Sequence, residues 1–213
     1  MSIKAWWFVP TDRRLRNGDG RRVRAGITHV HKGPFVFSQS GLHASRQILD
    51  ALYCASGPIL CRVECGGTIV RDSGRLACSR CTYLAVVNAT GMLRHFARLC
   101  ALDVVGLWEA PDEVRRYLRT GDKCLLTTVA AAAWTTAESL ADAARDAAEA
   151  AAWAIEKGDA DAAARSAATN AARAVARHAS RASARHIARE AQQKRLHRMA
   201  VELIRKHRRE RNG

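Results

Sequence analysis

Four cysteines between residues 61 and 81 form the pattern in this sequence with the most specific chemistry. They are spaced as Cys-x3-Cys-x12-Cys-x2-Cys, at Cys61, Cys65, Cys78 and Cys81. Two pairs of thiolates around a short hairpin are the ligand set of a structural zinc ribbon, and the second pair has the spacing of a zinc knuckle. The pattern therefore makes zinc a candidate cofactor.

The spacing of the first pair argues against such a site. If residues 59–65 form one extended strand, the side chains of Cys61 and Cys65 share a face but lie about 13 Å apart. Two sulfurs bound to one zinc ion must lie about 4 Å apart. Gly66 and Gly67 come too late to fold this pair together. The expectation is no cofactor, with the cysteines buried as small apolar residues, and zinc is the alternative.

Three histidines are candidates for metal ligation or acid–base chemistry. The three are His29, His31 and His43; His29 and His31 are two residues apart, so on a strand that pair would share a face and could line a pocket. Ordinary strand histidines are the alternative. The sequence contains no Walker loop, no Gly-x-Ser-x-Gly elbow and no dinucleotide-binding glycine pattern after a strand.

A stripe of arginines in the last quarter of the chain is the best candidate binding surface. Five arginines recur every four residues, and on one helix each step moves the position by only 40°. The predicted contacts for an acidic partner are this stripe and the basic residues after it: Arg173, Arg177, Arg181, Arg185, Arg189, Lys194, Arg195, Arg198, Arg205, Lys206, Arg208 and Arg209.

Most of the net positive charge also lies in the last quarter of the chain. The chain carries +15, and residues 162–213 hold fourteen Lys and Arg against three Glu. A basic segment of this kind attracts nucleic acid or a host nucleoprotein complex. The alternative is pairing with residues 131–161, which hold seven Asp and Glu against two Lys and Arg. No aromatic residue follows Trp153, so backbone contacts without base stacking are expected.

The first ninety residues predict a small mixed α/β domain. Residues 5–9 indicate a buried strand and residues 45–53 a short helix, and a turn at Asn17-Gly18 between arginines predicts a basic hairpin tip. The other predicted strands cover residues 27–31, 34–37, 59–63, 68–71 and 83–87.

Helices dominate the remainder. Residues 91–130 form a predicted helical connector with one helix between Pro111 and Gly121. Residues 131–213 form an alanine- and arginine-rich helical region in which a capping box at Thr135 and Glu138 opens the first helix. A second helix is expected over residues 160–209, about 75 Å long. With so few large apolar side chains, a helical hairpin, a homo-oligomer or a helix that is stable only on a partner is expected. The fold class is α+β.

Four short segments carry a family resemblance: Ser-Gly-Leu-His-Ala-Ser at 40–45, a glycine-leucine-histidine-alanine turn; Gly-Pro-Ile-Leu-Cys-Arg-Val-Glu at 57–64; Gly-Thr-Ile-Val at 67–70; and Leu-Ala-Cys-Ser at 76–79. Across about residues 3–90 the chain resembles a domain of unknown function encoded by bacteriophages and prophages. The resemblance implies a phage accessory protein, a class that includes host-defence inhibitors of the anti-CRISPR kind. It brings no catalytic residue.

The cellular compartment is predicted from the odd number of cysteines and from the lack of two kinds of segment, a secretory signal and a membrane-spanning stretch. Residues 1–10 lack a secretory signal, and no stretch of 18 uncharged apolar residues could cross a membrane. The expectation is a reduced, cytoplasmic protein in the host cell with no membrane partner.

Three functions are therefore weighed. The leading expectation is a non-enzymatic protein that binds nucleic acid through its basic C-terminal helix. The first alternative is a structural or oligomerisation role for the alanine-rich helices. The second alternative is an enzyme, because His43, Tyr53 and Glu64 look like parts of an ADP-ribosyltransferase. Those enzymes usually carry a glutamate late in the domain, and residues 78–83 contain no acid. No catalytic residue is expected.

Overall fold

Five β-strands and six α-helices form in the part of the chain that the computed structural model describes, namely residues 2–16, 19–33, 41–126, 128–129, 142–156, 159–179 and 182–212. This architecture confirms the α+β class. The residues divide into two compact units. The sheet unit contains Met1–Thr90 and Leu196–Gly213, and the helical unit contains Gly91–Arg195. Across the described ranges, every helix is too short or too polar to cross a membrane.

The strands of the sheet unit pair only with antiparallel neighbours. Their bounds are β1 Ile3–Val9, β2 Thr28–Val30, β3 Leu42–Ser45, β4 Ile59–Asp72 and β5 Arg75–Asn88, with helix α1 at Ile48–Tyr53. The predicted strands at residues 5–9 and 27–31 are confirmed as β1 and β2, and the three strands predicted after residue 58 form the single long hairpin of β4 and β5.

Four of these strands close into a ring. β5 pairs with β3, β3 with β1, β1 with β4, and β4 again with β5, while β2 extends the sheet beyond β5. The hairpin closes the ring because its strands are long: the first residues of β5 pair with β3, and the first residues of β4 pair with β1. Strand β2 pairs with Arg80–Thr82 in the middle of β5. The ring encloses an apolar core made of small and medium side chains, including Ala5, Ala44, Val63 and all of Cys61, Cys65, Cys78 and Cys81.

The β4–β5 hairpin is irregular at its centre. The strand register shifts between Gly66 and Ile69. Gly67 has a φ of +70° there, in the left-handed region that favours glycine. The backbone N–H of Thr68 donates a hydrogen bond of 2.9 Å to the Ser79 hydroxyl across the hairpin. This β-bulge bends the hairpin, as extra residues in one strand generally do.

Replacing Gly67 with alanine is expected to lower the free energy of unfolding of the sheet unit by about 2–3 kcal/mol, since the added Cβ takes an unfavourable φ and collides with the Ser79 hydroxyl. Gly26→Ala is the matched control. Gly26 has a φ of +85° and nothing within 4 Å of the added carbon, so about 1 kcal/mol is expected. Urea denaturation checks both values. Equal losses would show that Ser79 does not constrain the bulge.

The helices continue the chain as α2 Thr90–Leu102, α3 Asp112–Thr120, α4 Asp142–Glu156, α5 Ala160–Ala179 and α6 Ala182–Asn212. The predicted boundaries of α3 are confirmed, with Pro111 before it and Gly121 after it at a φ of +73°. Helices α4 and α5 pack through alanines that are almost fully buried, among them Ala147, Ala151, Ala164 and Ala168. Small side chains allow this close approach, so the expected helical hairpin is present.

The single long helix predicted over residues 160–209 is wrong. The Gln192 side-chain amide donates a 2.9 Å hydrogen bond to the backbone oxygen of Ala168. On one straight helix these residues would lie about 36 Å apart. The chain instead forms α5 and α6, and α6 folds back on α5. A lone alanine-rich helix would have little to bury, whereas this arrangement covers Ala168 and Gln192.

Two smaller predictions are also corrected. The glycine-leucine-histidine-alanine segment is strand β3, because its backbone pairs with Leu76–Cys78 of β5. The helix expected from residue 45 begins at Ile48, since Ser45 still belongs to that strand. The predicted strand at residues 34–37, the capping box at Thr135 and Glu138, and Asn17-Gly18 of the hairpin tip lie outside the described residues.

Candidate functional site

Helix α6 has two contrasting faces within the sheet unit. Leu196, Ala200 and Ile204 recur every four residues and are buried. The His197 ring meets the Trp6 ring edge to face at 5.4 Å, which fixes this end of the helix against β1. Helical geometry places Arg198, Arg205 and Arg209 about 140–180° away from the buried stripe. These three side chains are exposed.

Most of the positive charge on this helix is unpaired. Residues 182–212 contain ten Lys and Arg against three Glu. Lys206 lies 3.9 Å from Glu210, the outer limit of an ion pair. Within the described residues, no acid pairs with seven exposed basic side chains of α6: Arg185, Lys194, Arg198, Arg205, Arg208, Arg209 and Arg211. The helix therefore presents a cationic surface to solvent.

One predicted contact residue has another role. Arg195 makes a two-pronged ion pair with Asp103, at 2.7 and 3.0 Å. The hydrogen bonds that Arg195 donates to the Asp103 carboxylate raise the pKa of Arg195. This pair joins α6 to the turn after α2 within the helical unit, so Arg195 is a structural residue here.

The predicted arginine stripe is divided between two helices. Arg173 lies on α5, where it is exposed and donates a 3.4 Å hydrogen bond to Asn170. Arg185 and Arg189 lie on α6. Because α6 folds back on α5, these arginines do not follow one continuous helix. Arg181 and the side chain of Arg177 lie outside the described residues.

Four of the seven acids at residues 131–161 have described side chains, and their neighbours lie in the helical unit. Asp146, Glu149 and Asp159 line a groove of about 500 Å³ between α4 and α5. Asp161 pairs with Arg165 on its own helix at 3.6 Å.

A cationic pocket of about 500 Å³ opens in the sheet unit, and it was missed by the sequence reasoning. Its charged and aromatic lining comes from five separate segments: Trp7, Arg14, Arg16, Asp19, Arg21, His31, Lys32, His43 and Tyr83. The arginines belong to the predicted basic hairpin, in which the backbone of Arg14 forms an antiparallel β-bridge with the backbone of Arg22. The arginines at residues 13–24, which follow Trp7 and Phe8, were the only sequence signal, because the ring of strands brings the rest together.

Charged and aromatic groups of this pocket interact with one another. Arg21 binds Asp19 through Nε at 2.5 Å, and this contact lowers the pKa of Asp19. Burial lowers the pKa of His43, so its ring is neutral at pH 7. The His43 ring lies 6.3 Å from that of Trp7 at a tilt of 37°. The pocket thus combines cations with two neighbouring aromatic rings.

The structure brings three of the four motif cysteines together. The sulfurs of Cys65, Cys78 and Cys81 all lie within 4.8 Å of one another, and no other metal-binding group of side chains occurs among the described residues. Cys65 is the cross-strand partner of Cys81, and the bulge brings Cys78 to the same place. Cys61 is buried in the same core but lies outside this cluster, consistent with the expected distance along β4.

The residues considered for enzyme chemistry do not meet. His29 is buried against the Tyr83 ring at 5.1 Å, whereas His31 and His43 line the pocket. Glu64 lies on the other face of β4 from the core cysteines and accepts a 2.6 Å hydrogen bond from Ser2. Of the residues resembling an ADP-ribosyltransferase, His43 and Glu64 therefore line different pockets.

No protein-family model, curated protein or solved structure matches this chain. What the protein does must therefore be inferred from its own surface and side chains.

Proposed function

We propose that this protein binds the phosphate backbone of nucleic acid, free or within a host nucleoprotein complex, through the exposed basic face of α6. The observation that carries the proposal is the row Arg198, Arg205 and Arg209, which faces solvent without an acidic partner in the described chain. Like charges this close together destabilise a helix mildly unless something compensates them. Phosphates would do so, and the role fits a phage accessory protein that acts on host nucleic acid or its machinery.

The chemistry of this face favours contact without sequence readout. Its side chains are Lys and Arg, and no aromatic residue follows Trp153 to stack on bases. Contacts to phosphates set affinity and orientation but carry no sequence information. Two of these arginines also stabilise the helix itself. Arg209 and Arg211 lie in its last turn, where positive charge interacts favourably with the negative end of the helix dipole.

The test is fluorescence anisotropy of the full chain with labelled duplexes of unrelated sequence and with one single strand, at low salt. The expected result is submicromolar to micromolar binding, with dissociation constants of the duplexes within about threefold of one another. Absence of binding to every probe would refute the proposal. A preference of about a hundredfold or more for one sequence would refute its nonspecific character.

A second candidate is supported by the pocket of the sheet unit, which would accept a small ligand that is anionic and carries a flat ring, such as a nucleotide. Its volume suits such a ligand. Trp7 and His43 offer a stacking surface, and Arg14 and Lys32 offer positive charge. This candidate requires binding alone and no catalytic step.

Isothermal titration calorimetry with AMP and with adenosine separates the contribution of the phosphate from that of the nucleoside. AMP is expected to bind at least about tenfold more tightly than adenosine, because phosphate adds charge-assisted hydrogen bonds. The variant Trp7→Phe should weaken both ligands. Equal binding of AMP by the wild type and by the double variant Arg14→Gln/Lys32→Gln would exclude this pocket.

The structure offers less support for the alternative in which the alanine-rich helices join several chains. The alanines of α4 and α5 are already buried within the chain, so they are not available to join two chains. An exposed apolar side chain remains at Ile187, which is 65% exposed. Light scattering of the protein as it elutes from a size-exclusion column would detect a dimer directly.

A further inference from the structure

Three sulfur atoms meet inside the ring of strands. Those of Cys65, Cys78 and Cys81 lie within 4.8 Å of one another, and each side chain is at most 2% exposed. Around one zinc ion with Zn–S bonds of about 2.3 Å, the sulfurs lie about 3.8 Å apart. Small side-chain movements would bring all three into that range. We propose that these cysteines form a binding site for one thiophilic metal ion, Zn²⁺ or Cu⁺.

The irregular backbone of the hairpin brings the three sulfurs together, which rotation of the side chains on regular strands could not do. Two side chains three residues apart on a regular strand point to opposite faces, yet Cys78 and Cys81 both meet Cys65. The register shift after Gly66 and the hydrogen bond from Thr68 N–H to Ser79 hold the strands in this form. The site is therefore built into the irregularity of the hairpin.

Backbone donors converge on one of the three sulfurs. N–H groups of Gly66 and Arg80 hydrogen-bond to the Cys78 sulfur, and Arg80 is the second residue after it, as in a knuckle. These donors would stabilise a metal-bound thiolate.

The ligand set restricts the metal. Within the described residues, no histidine or carboxylate joins the three sulfurs. Three thiolates are soft ligands, which suits Cu⁺ with three sulfurs or Zn²⁺ with one further, non-protein ligand. Since the cluster is buried, the ion would enter as the hairpin folds.

The experiment uses the full chain, unfolded and refolded under anaerobic, reducing conditions with Zn²⁺ or with Cu⁺. Metal that survives gel filtration is then measured per chain, and X-ray absorption counts its sulfur neighbours. The expected result is about one ion per chain, for at least one of the two metals, with three sulfur neighbours. Cys78→Ala and Cys81→Ala should each lower the affinity at least about tenfold, while Cys61→Ala retains it.

Several results would overturn the proposal. These are a wild-type chain that retains neither ion, fewer than three sulfur neighbours, or a Cys78→Ala variant that retains metal as the wild type does. Cys61→Ala removes a buried thiol from the same core, so it controls for damage to packing. If a cluster variant fails to fold, the sulfur count in the wild type still decides the question.

Discussion

A variant with Arg198, Arg205, Arg208 and Arg209 replaced by glutamine is expected to bind a nucleic-acid duplex about 500- to 4000-fold more weakly than the wild type at about 0.1 M salt. Each phosphate contact contributes about 0.9 to the slope of log affinity against log salt concentration. Losing three or four such contacts therefore removes roughly three powers of ten at that concentration. Fluorescence anisotropy measures the change.

The control for this variant removes the same formal charge elsewhere. Arg71, Arg75, Arg116 and Arg119 are exposed and lie outside α6. Their replacement by glutamine should reduce affinity less than about tenfold. Both variants should keep the helical circular dichroism of the wild type, because removing like charges does not destabilise a helix. Equal losses in the two variants would show that net charge, and not α6, determines binding.

The variant Trp6→Ala is expected to lower the free energy of unfolding of the sheet unit by about 3–5 kcal/mol, the largest loss for a single substitution. Trp6 is 2% exposed in β1. The Arg62 guanidinium lies 4.3 Å from the centre of its ring, and His197 of α6 meets its edge. Alanine would remove the buried ring and leave Arg62, whose pKa is already lowered by burial, without its aromatic partner.

Hydrogen exchange of peptides from β1 and β4 measures this loss in the unit concerned. Protection should fall by more than about a hundredfold in Trp6→Ala, and by about tenfold in Trp6→Phe, which keeps an aromatic ring. Peptides covering Leu196 and Ala200 should lose protection with β1, since His197 packs on Trp6. Unchanged protection in that part of α6 would show that the contact with Trp6 does not hold it.

Local signals made much of this fold predictable. Pro111 and Gly121 mark the ends of α3 because proline suits a helix start and glycine adopts a positive φ after its end. The apolar run at residues 5–9 predicts β1, which has the core on one face and Trp6 and Phe8 buried on the other. Such features depend on residues that are near one another in the sequence.

Features set by distant residues were not predictable. Strand β3 has only four residues and forms because β5 pairs with it. The reversal between α5 and α6 has no proline or glycine to mark it, since residues 179–183 read Ala-Ser-Arg-Ala-Ser. The thiol cluster depends on the bulge near Gly67, and the pocket depends on closure of the ring. The basic character of α6 was predictable from composition, but the pairing of Arg195 with Asp103 was not.

The measurement that tests the proposed function most directly is the salt dependence of nucleic-acid affinity in the wild type, from about 50 mM to about 300 mM salt. Binding through exposed arginines of α6 predicts a plot of log affinity against log salt concentration with a slope of about −3 or steeper, and a much shallower slope in the four-arginine variant. A wild-type slope near zero, or the same slope in both proteins, would contradict the proposal that this helix grips phosphates.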